Sequence, residues 1–202
     1  VTTIAGMVLA GGLSRRMGGG DKPLLAVGGR TLLDRTIARL APQVDRLLLN
    51  ANGDPARFAA CGLEVRADVL DGYCGPLAGI LTGMDWAAEH GAQWLLTAAA
   101  DTPLLPADLR ERLEAARMAG NAQIAMAVSG GRSHPVFALW PVSLRDDLHR
   151  ALIEEGLRKL GAFADRYPLV RVEWPILPFD PFFNVNTPED VVALEEILAT
   201  VE

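Results

Sequence analysis

A chain of 202 residues, half of them hydrophobic and 22% charged, has the composition of an ordinary globular protein and the length for one large core or two small ones. Its formal net charge of -6 argues against a surface built to neutralise a nucleic-acid backbone. No apolar run approaches the roughly 20 residues of a membrane span, and the opening VTTIAGMVLAGG lacks the basic head and longer apolar core of a secretory signal. A soluble cytoplasmic protein is expected, with neither nucleic acid nor membrane among its partners.

Short apolar runs alternate with helical patterns over the first half of the chain, the signature of β-α units around a mainly parallel sheet. Strands are expected at about 4–10 (IAGMVLA), 46–50 (RLLLN), 63–67 (LEVRA) and 94–100 (WLLTAAA). Between them, Leu33, Ile37 and Leu40 share one helical face in TLLDRTIARLA. Leu77, Ile80, Leu81, Met84 and Ala88 share another in PLAGILTGMDWAAEHG, with Pro76 suited to the first turn and Gly91 to the stop. Leu109, Leu113 and Ala116 do the same in PADLRERLEAARMAG, which Gly120 ends. QIAMAVS and HPVFALW flank a GGRS turn and are expected to pair as antiparallel neighbours. SLRDDLHRALIEEG and LRKLGAFADRY look helical, PLVRVEW alternates like a strand, and FFNV is a further short strand candidate. The terminal helix carries Thr187 as cap, Pro188 at its first position and Asp190 three after the cap. One three-layer α/β/α domain over residues 1–202, Rossmann-like with a mainly parallel sheet, results.

In such sheets ligands bind beyond the carboxyl ends of the strands. The segment LAGGLSRRMGGGDK follows the first expected strand, Asn50 closes the second, Asp68 follows the third and Asp101 the fourth. Each polar residue taken singly is explained equally well by a turn. Four together beside a glycine-rich loop favour a site. Glycines let backbone amides approach an anion without a Cβ in the way, and Arg15, Arg16 and Lys22 offer compensating charge, so a phosphate-bearing ligand fits. Because Lys22 is preceded by Asp21 and followed by Pro23, the segment is not a P-loop, and it does not match GxGxxG either.

Asp101, in AAADTPLLP, is either a turn residue before Pro103 or a hard oxygen ligand held beside phosphates, as magnesium requires. Gly75 and Pro76 put a helix start at the same edge. Asn184 and Asn186 stand ahead of the terminal helix, and capping leaves Asn184 without a role. His134 is placed to contact a second substrate, whereas His90 and His149 read as surface residues of helices. Cys61 and Cys74 lack metal-ligand spacing and are expected to be free thiols. The four tryptophans are expected to pack the core.

LAGGLSRRMGGGDK, NAN at 50–52, GPLAG, DTPLLP, HPVFALW and NVNTPED, in this order, resemble the MobA family of molybdenum cofactor guanylyltransferases, over most of the chain. The resemblance implies a nucleotide-diphospho-sugar-transferase-like fold and transfer of GMP from GTP to the phosphate of molybdenum-bound molybdopterin. It implies that Leu9, Ala10, Gly11 and Gly12 hold the guanine and ribose side of GTP, Lys22 its phosphates, and Asn50 and Asp68 the nucleoside. Asp101 would bind Mg2+, and Asn184 and Asn186 would lie near the molybdopterin, with His134 as a further contact. Asp101, Lys22 and Arg16 form the expected catalytic group. Molybdoenzymes and cofactor-supplying proteins are the macromolecular partners such an activity implies. Two other activities stay open at this stage: a nucleotidyltransferase using CTP or acting on a sugar phosphate, and a guanine-nucleotide-binding adaptor without turnover.

Overall fold

The computed structural model describes residues 2–11, 21–70, 72 and 75–201. Gly12, Arg15, Arg16 and Cys74 lie outside these. In chain order the elements are β1 (Ile4–Leu9), β2 (Ala26–Val27), β3 (Arg30–Thr31), α1 (Leu32–Leu40), β4 (Arg46–Asn50), β5 (Glu64–Arg66), α2 (Pro76–Glu89), β6 (Trp94–Ala99) and α3 (Leu109–Ala119). Then follow β7 (Ile124–Ser129), β8 (Arg132–Pro141), α4 (Arg145–Ile153), α5 (Leu160–Ala164), β9 (Leu169–Trp174) and α6 (Pro188–Val201). Seven strands form one sheet in the order β5-β4-β1-β6-β8-β7-β9. Neighbours run parallel except around β8, which is antiparallel to both β6 and β7. The expected mainly parallel sheet is thus present with one strand reversed.

Strand periodicity explains the layering. Successive side chains of a strand point to opposite faces, and in a sheet covered on both sides both faces are apolar. Met7, Leu48 and Leu95 join α2, α4 and α5 in one buried cluster, through Ile80, Met84, Leu148 and Phe163. Ile4, Val8, Leu49 and Leu96 face the other way onto α1 and α3, through Leu33, Leu40, Leu109 and Leu113. A third cluster packs Leu194 and Leu198 of α6 against Val27, Leu104 and Val185. It anchors the terminal helix beside the small β2–β3 hairpin, which sequence patterning did not anticipate.

Four expectations change in detail. FFNV is not a strand: Phe182 and Val185 are buried plugs in a loop, and Val185 makes one backbone bond, from its N–H to Asp101 O at 3.1 Å. The helix expected over 157–167 contracts to α5, because Leu157 N–H turns back to Ala151 O at 2.9 Å. β8 begins at Arg132, because Gly130 and Gly131 take φ of 53° and 74° and close a two-residue hairpin turn. His90, expected at the surface, is half-buried at the C-cap of α2, its Nδ1 2.8 Å from Trp86 O and its ring 4.8 Å from that indole. Trp86, Trp140 and Trp174 are buried as expected, and Trp94, partly buried, packs against the core with the Arg117 guanidinium over its ring at 4.2 Å.

Candidate active site

The start of the glycine-rich segment is stitched between two neighbouring strands. Ala10 N–H donates to Asn50 O at 2.8 Å, and Leu9 O accepts from Ala100 N–H at 2.9 Å. Leu9 and Ala10 are therefore fixed between the ends of β4 and β6, and Gly11 follows directly. The parallel strands β5, β4, β1 and β6 are adjacent, so Asp68, Asn50, the glycine segment and Asp101 all issue from one edge.

One corner of that edge is built from amides around a carboxylate. Asn50 is 2% exposed, and its Nδ2 donates to Asp68 Oδ1 at 3.0 Å and to Arg66 O at 3.1 Å. Asn52 Nδ2 donates to Asp68 Oδ2 at 2.8 Å, while Asp68 N–H donates back to Asn52 Oδ1, also at 2.8 Å. Each carboxylate oxygen thus has one amide donor and keeps a lone pair for a ligand. Gly79, one turn into α2, makes the arrangement possible, because a Cβ there would fall 2.4 Å from Asn50 Oδ1. Arg57 closes the far side, donating to Asn52 O at 2.6 Å and pairing with Asp21 at 2.7 Å.

The second corner is built from charge. Lys22 opens a short 3-10 turn with Pro23 behind it, and its ammonium pairs with the Asp101 carboxylate and donates to Asn186 Oδ1 at 2.6 Å. Thr102, fully buried, donates to Asn184 Oδ1 at 2.6 Å. Asp190 of α6 accepts from Asn186 N–H at 2.7 Å and Thr187 N–H at 2.8 Å, and Thr187 Oγ1 accepts from Asp190 N–H at 3.3 Å. This capping box fixes the backbone that presents Asn186. Asp101 and Asn186 turn two hard oxygens toward one cation, the donor chemistry magnesium uses. Among the described residues no group of three or more His, Cys, Asp or Glu gathers, so phosphate and water oxygens would complete such a shell.

His134 stands further along the edge, where β8 begins. Ser129 is 2% exposed, and its hydroxyl donates to Asp180 Oδ1 at 2.9 Å and lies 2.7 Å from His134 Nε2. A hydroxyl has one proton, so the ring nitrogen is the donor in the second contact. Burial holds the imidazole's pKa below its ordinary value near 6.5 and Arg132 pushes the same way, against the opposing pull of Asp180 and Glu173. Phe182 stacks on the ring at 4.9 Å. His134 makes no hydrogen bond to Asn184 or Asn186; Asp180 and Phe182 connect it to the loop that carries them.

Several contributors escaped sequence reasoning: Asn52, Arg57, Gly79, Thr102, Ser129 and Asp180. Asn52 had a signal, since two asparagines spaced i, i+2 at a strand end point to the same side. The others are defined by partners 29 to 82 positions away.

The chain is thus a Rossmann-like α/β domain whose sheet edge holds a ringed carboxylate at one corner and a lysine–aspartate pair at the other. The chain belongs to the MobA-like NTP transferase domain family, whose model matches residues 6–168. It is 61% identical over 193 residues to a molybdenum cofactor guanylyltransferase of Rhodopseudomonas palustris (strain BisB5), covering 95% of this chain and 92% of that one. Among solved structures it is similar to molybdopterin-guanine dinucleotide biosynthesis protein A from Archaeoglobus fulgidus, with a TM-score of 0.74, 25% identity and coverage of 97% and 99%. A Mycobacterium tuberculosis protein solved in complex with manganese has the same fold, with a TM-score of 0.68, 22% identity and coverage of 96% and 99%.

Proposed function

We propose that this chain transfers GMP from GTP to the terminal phosphate of molybdenum-bound molybdopterin, releasing pyrophosphate. The observation that carries the reading is the Lys22–Asp101–Asn186 corner lying on the same sheet edge as the Asn50–Asn52–Asp68 corner. One corner suits a phosphate chain and the other a base. Asp68 offers only acceptors, which match the ring N–H and amino donors of guanine better than the Watson–Crick edge of cytosine. Leu9, Ala10, Gly11 and Gly12 hold the guanine and ribose side, and Asn50 fixes Asp68.

A phosphate oxygen of the acceptor attacks the α-phosphorus of GTP, and the bond from that phosphorus to the bridging oxygen of the departing pyrophosphate breaks. The attacking oxygen is already anionic, so no strong base is needed, and alignment with charge compensation does the work. Lys22 and Arg16 offset charge on the leaving pyrophosphate. Mg2+, held by Asp101 with Asn186 alongside, would supply further charge compensation on the phosphates when bound. Asn184 and His134 serve the molybdopterin side, and Asn186 stands at the junction of the two substrates. The whole of residues 1–202 acts as one unit, since the loop before α6 completes the corner begun by Lys22. No helix among the described residues is long and apolar enough to cross a membrane; the cytoplasm is the setting we assign, with receiving molybdoenzymes or cofactor-supplying proteins as macromolecular partners.

Thermal shift with each nucleoside triphosphate and magnesium, followed by a pyrophosphate-release assay with molybdenum-bound molybdopterin, tests this. GTP should raise the melting temperature most, and pyrophosphate should appear only with both substrates. Asp101→Ala should lose at least about a hundredfold in turnover with its far-UV spectrum unchanged. Preferential stabilisation by CTP, absence of pyrophosphate, or near-normal turnover in Asp101→Ala would overturn the assignment.

A further inference from the structure

Three segments far apart in sequence meet on one ammonium. Lys22 follows the glycine-rich segment, Asp101 follows β6 and Asn186 precedes α6, and Lys22 Nζ contacts the side-chain oxygens of both. These are the two oxygens on which a divalent cation would settle. The lysine side chain is 13% exposed and the aspartate side chain 22%, so solvent screens the pair less than it would on an open surface. An ammonium and a divalent cation repel strongly at contact distance in such surroundings, which opposes their sharing the same two acceptors. For the metal to seat, Lys22 has to move. A displaced ammonium then needs another anion, and the adjacent carboxylate, Asp21, is engaged by Arg57 at 2.7 Å. The triphosphate of a nucleotide is an anion that arrives with the metal.

We infer that Lys22 is a resident counter-cation displaced by metal and triphosphate together, so that the divalent cation enters this corner with the nucleotide and not ahead of it. The inference rests on the nucleotide-transfer reading of the site and adds an order of binding to it. Lys22 has two successive partners: first the Asp101 carboxylate and the Asn186 amide oxygen, then phosphate oxygens. Neither Asp101 nor Lys22 is left without an opposite charge at either stage, which is what a partly buried pair requires.

Manganese binding by the full chain, followed by the loss of the free-ion electron paramagnetic resonance signal, tests the exchange. The wild-type chain should bind manganese alone at least about tenfold more weakly than with a GTP analogue that cannot be cleaved between its α and β phosphorus atoms. Lys22→Gln removes the charge and should raise the manganese affinity of the nucleotide-free chain about tenfold while lowering its affinity for the analogue. Lys22→Arg keeps a cation and should show no gain, and Lys22→Gln combined with Asp101→Asn should lose the gain. Melting curves establish that each variant is folded. Unchanged or weaker manganese binding by folded Lys22→Gln would overturn the inference. So would a wild-type melting temperature that rises as much with manganese alone as with manganese and analogue, a measurement that needs no variant. The gain in Lys22→Gln is read without nucleotide; if it appears while no form binds the GTP analogue, the guanylyl assignment fails and the ammonium–metal exchange stands.

Discussion

The two corners of the sheet edge hold their carboxylates by different means. Asp68 is ringed by the neutral amides of Asn50 and Asn52 and returns its own N–H to Asn52, so its position is fixed by hydrogen bonds that a ligand need not break. Asp101 is held by the Lys22 ammonium, a partner that, on the exchange inferred above, a divalent cation replaces. A base is recognised by shape and donor pattern, which reward a carboxylate that does not move. A metal-bound phosphate chain brings its own charges, which suits a corner that exchanges partners. The first corner is held by neutral amides and the second by an ion pair.

This contrast can be broken most forcefully at Gly79. Replacing glycine by alanine within a helix ordinarily stabilises by roughly 1 kcal/mol. At Gly79 the added Cβ would fall 2.4 Å from Asn50 Oδ1 and 2.9 Å from Leu9, both tightly held. Overpacking should win, for a net loss of about 1–3 kcal/mol in chemical denaturation, accompanied by weaker GTP binding. A stabilised Gly79→Ala variant with normal nucleotide affinity would mean that the amide ring is not rigid.

Asn52→Ala comes next. It removes both hydrogen bonds with Asp68 while leaving Asn50 in place, and should cost about 1–3 kcal/mol in GTP recognition, read as roughly a tenfold or greater rise in KM with a smaller change in kcat. A pure kcat effect in steady-state kinetics would place Asn52 in the chemistry and not in the base corner. The smallest expected effect is at Arg57, which links the corners by donating to Asn52 O and pairing with Asp21. Its side chain and that of Asp21 are 34% and 35% exposed, so Arg57→Ala should cost under about 1 kcal/mol and raise the GTP KM a few fold at most, less in added salt. An effect as large as that of Asn52→Ala, and insensitive to salt, would show that the corners act as one unit.

Much of the fold was legible because its signals are local. β4 falls at the expected bounds, and β1 and β6 each end one residue short of them, since a strand buried on both faces is a continuous apolar run bounded by polar residues. The terminal helix announced itself through Thr187, Pro188 and Asp190. FFNV misled because buried aromatic and branched residues satisfy strand patterning whether they plug a loop or join a ladder. In the site, the residues after the parallel strand ends could be named from the chain alone. Ser129 closes β7, which runs with the parallel strands, but nothing local sets it apart from a turn serine, and its partner Asp180 lies 51 positions further on; His134 reaches the same edge at the beginning of the reversed β8. Gly79 had no local sign of its importance, because the clash that requires it is with Asn50, 29 positions earlier.

The capping box at α6 has a consequence for ligand orientation. Asp190 takes the N–H groups of both Asn186 and Thr187, so the positive pole of that helix is already quenched by a covalently attached anion. α2, entered through Gly75 with its φ of 68°, has no side chain of its own at the cap. Among the described residues, a negatively charged molecule lying across this face would meet one helix start already offset by Asp190 and another whose cap residue supplies no side chain, a polarity that would favour its more anionic end over α2.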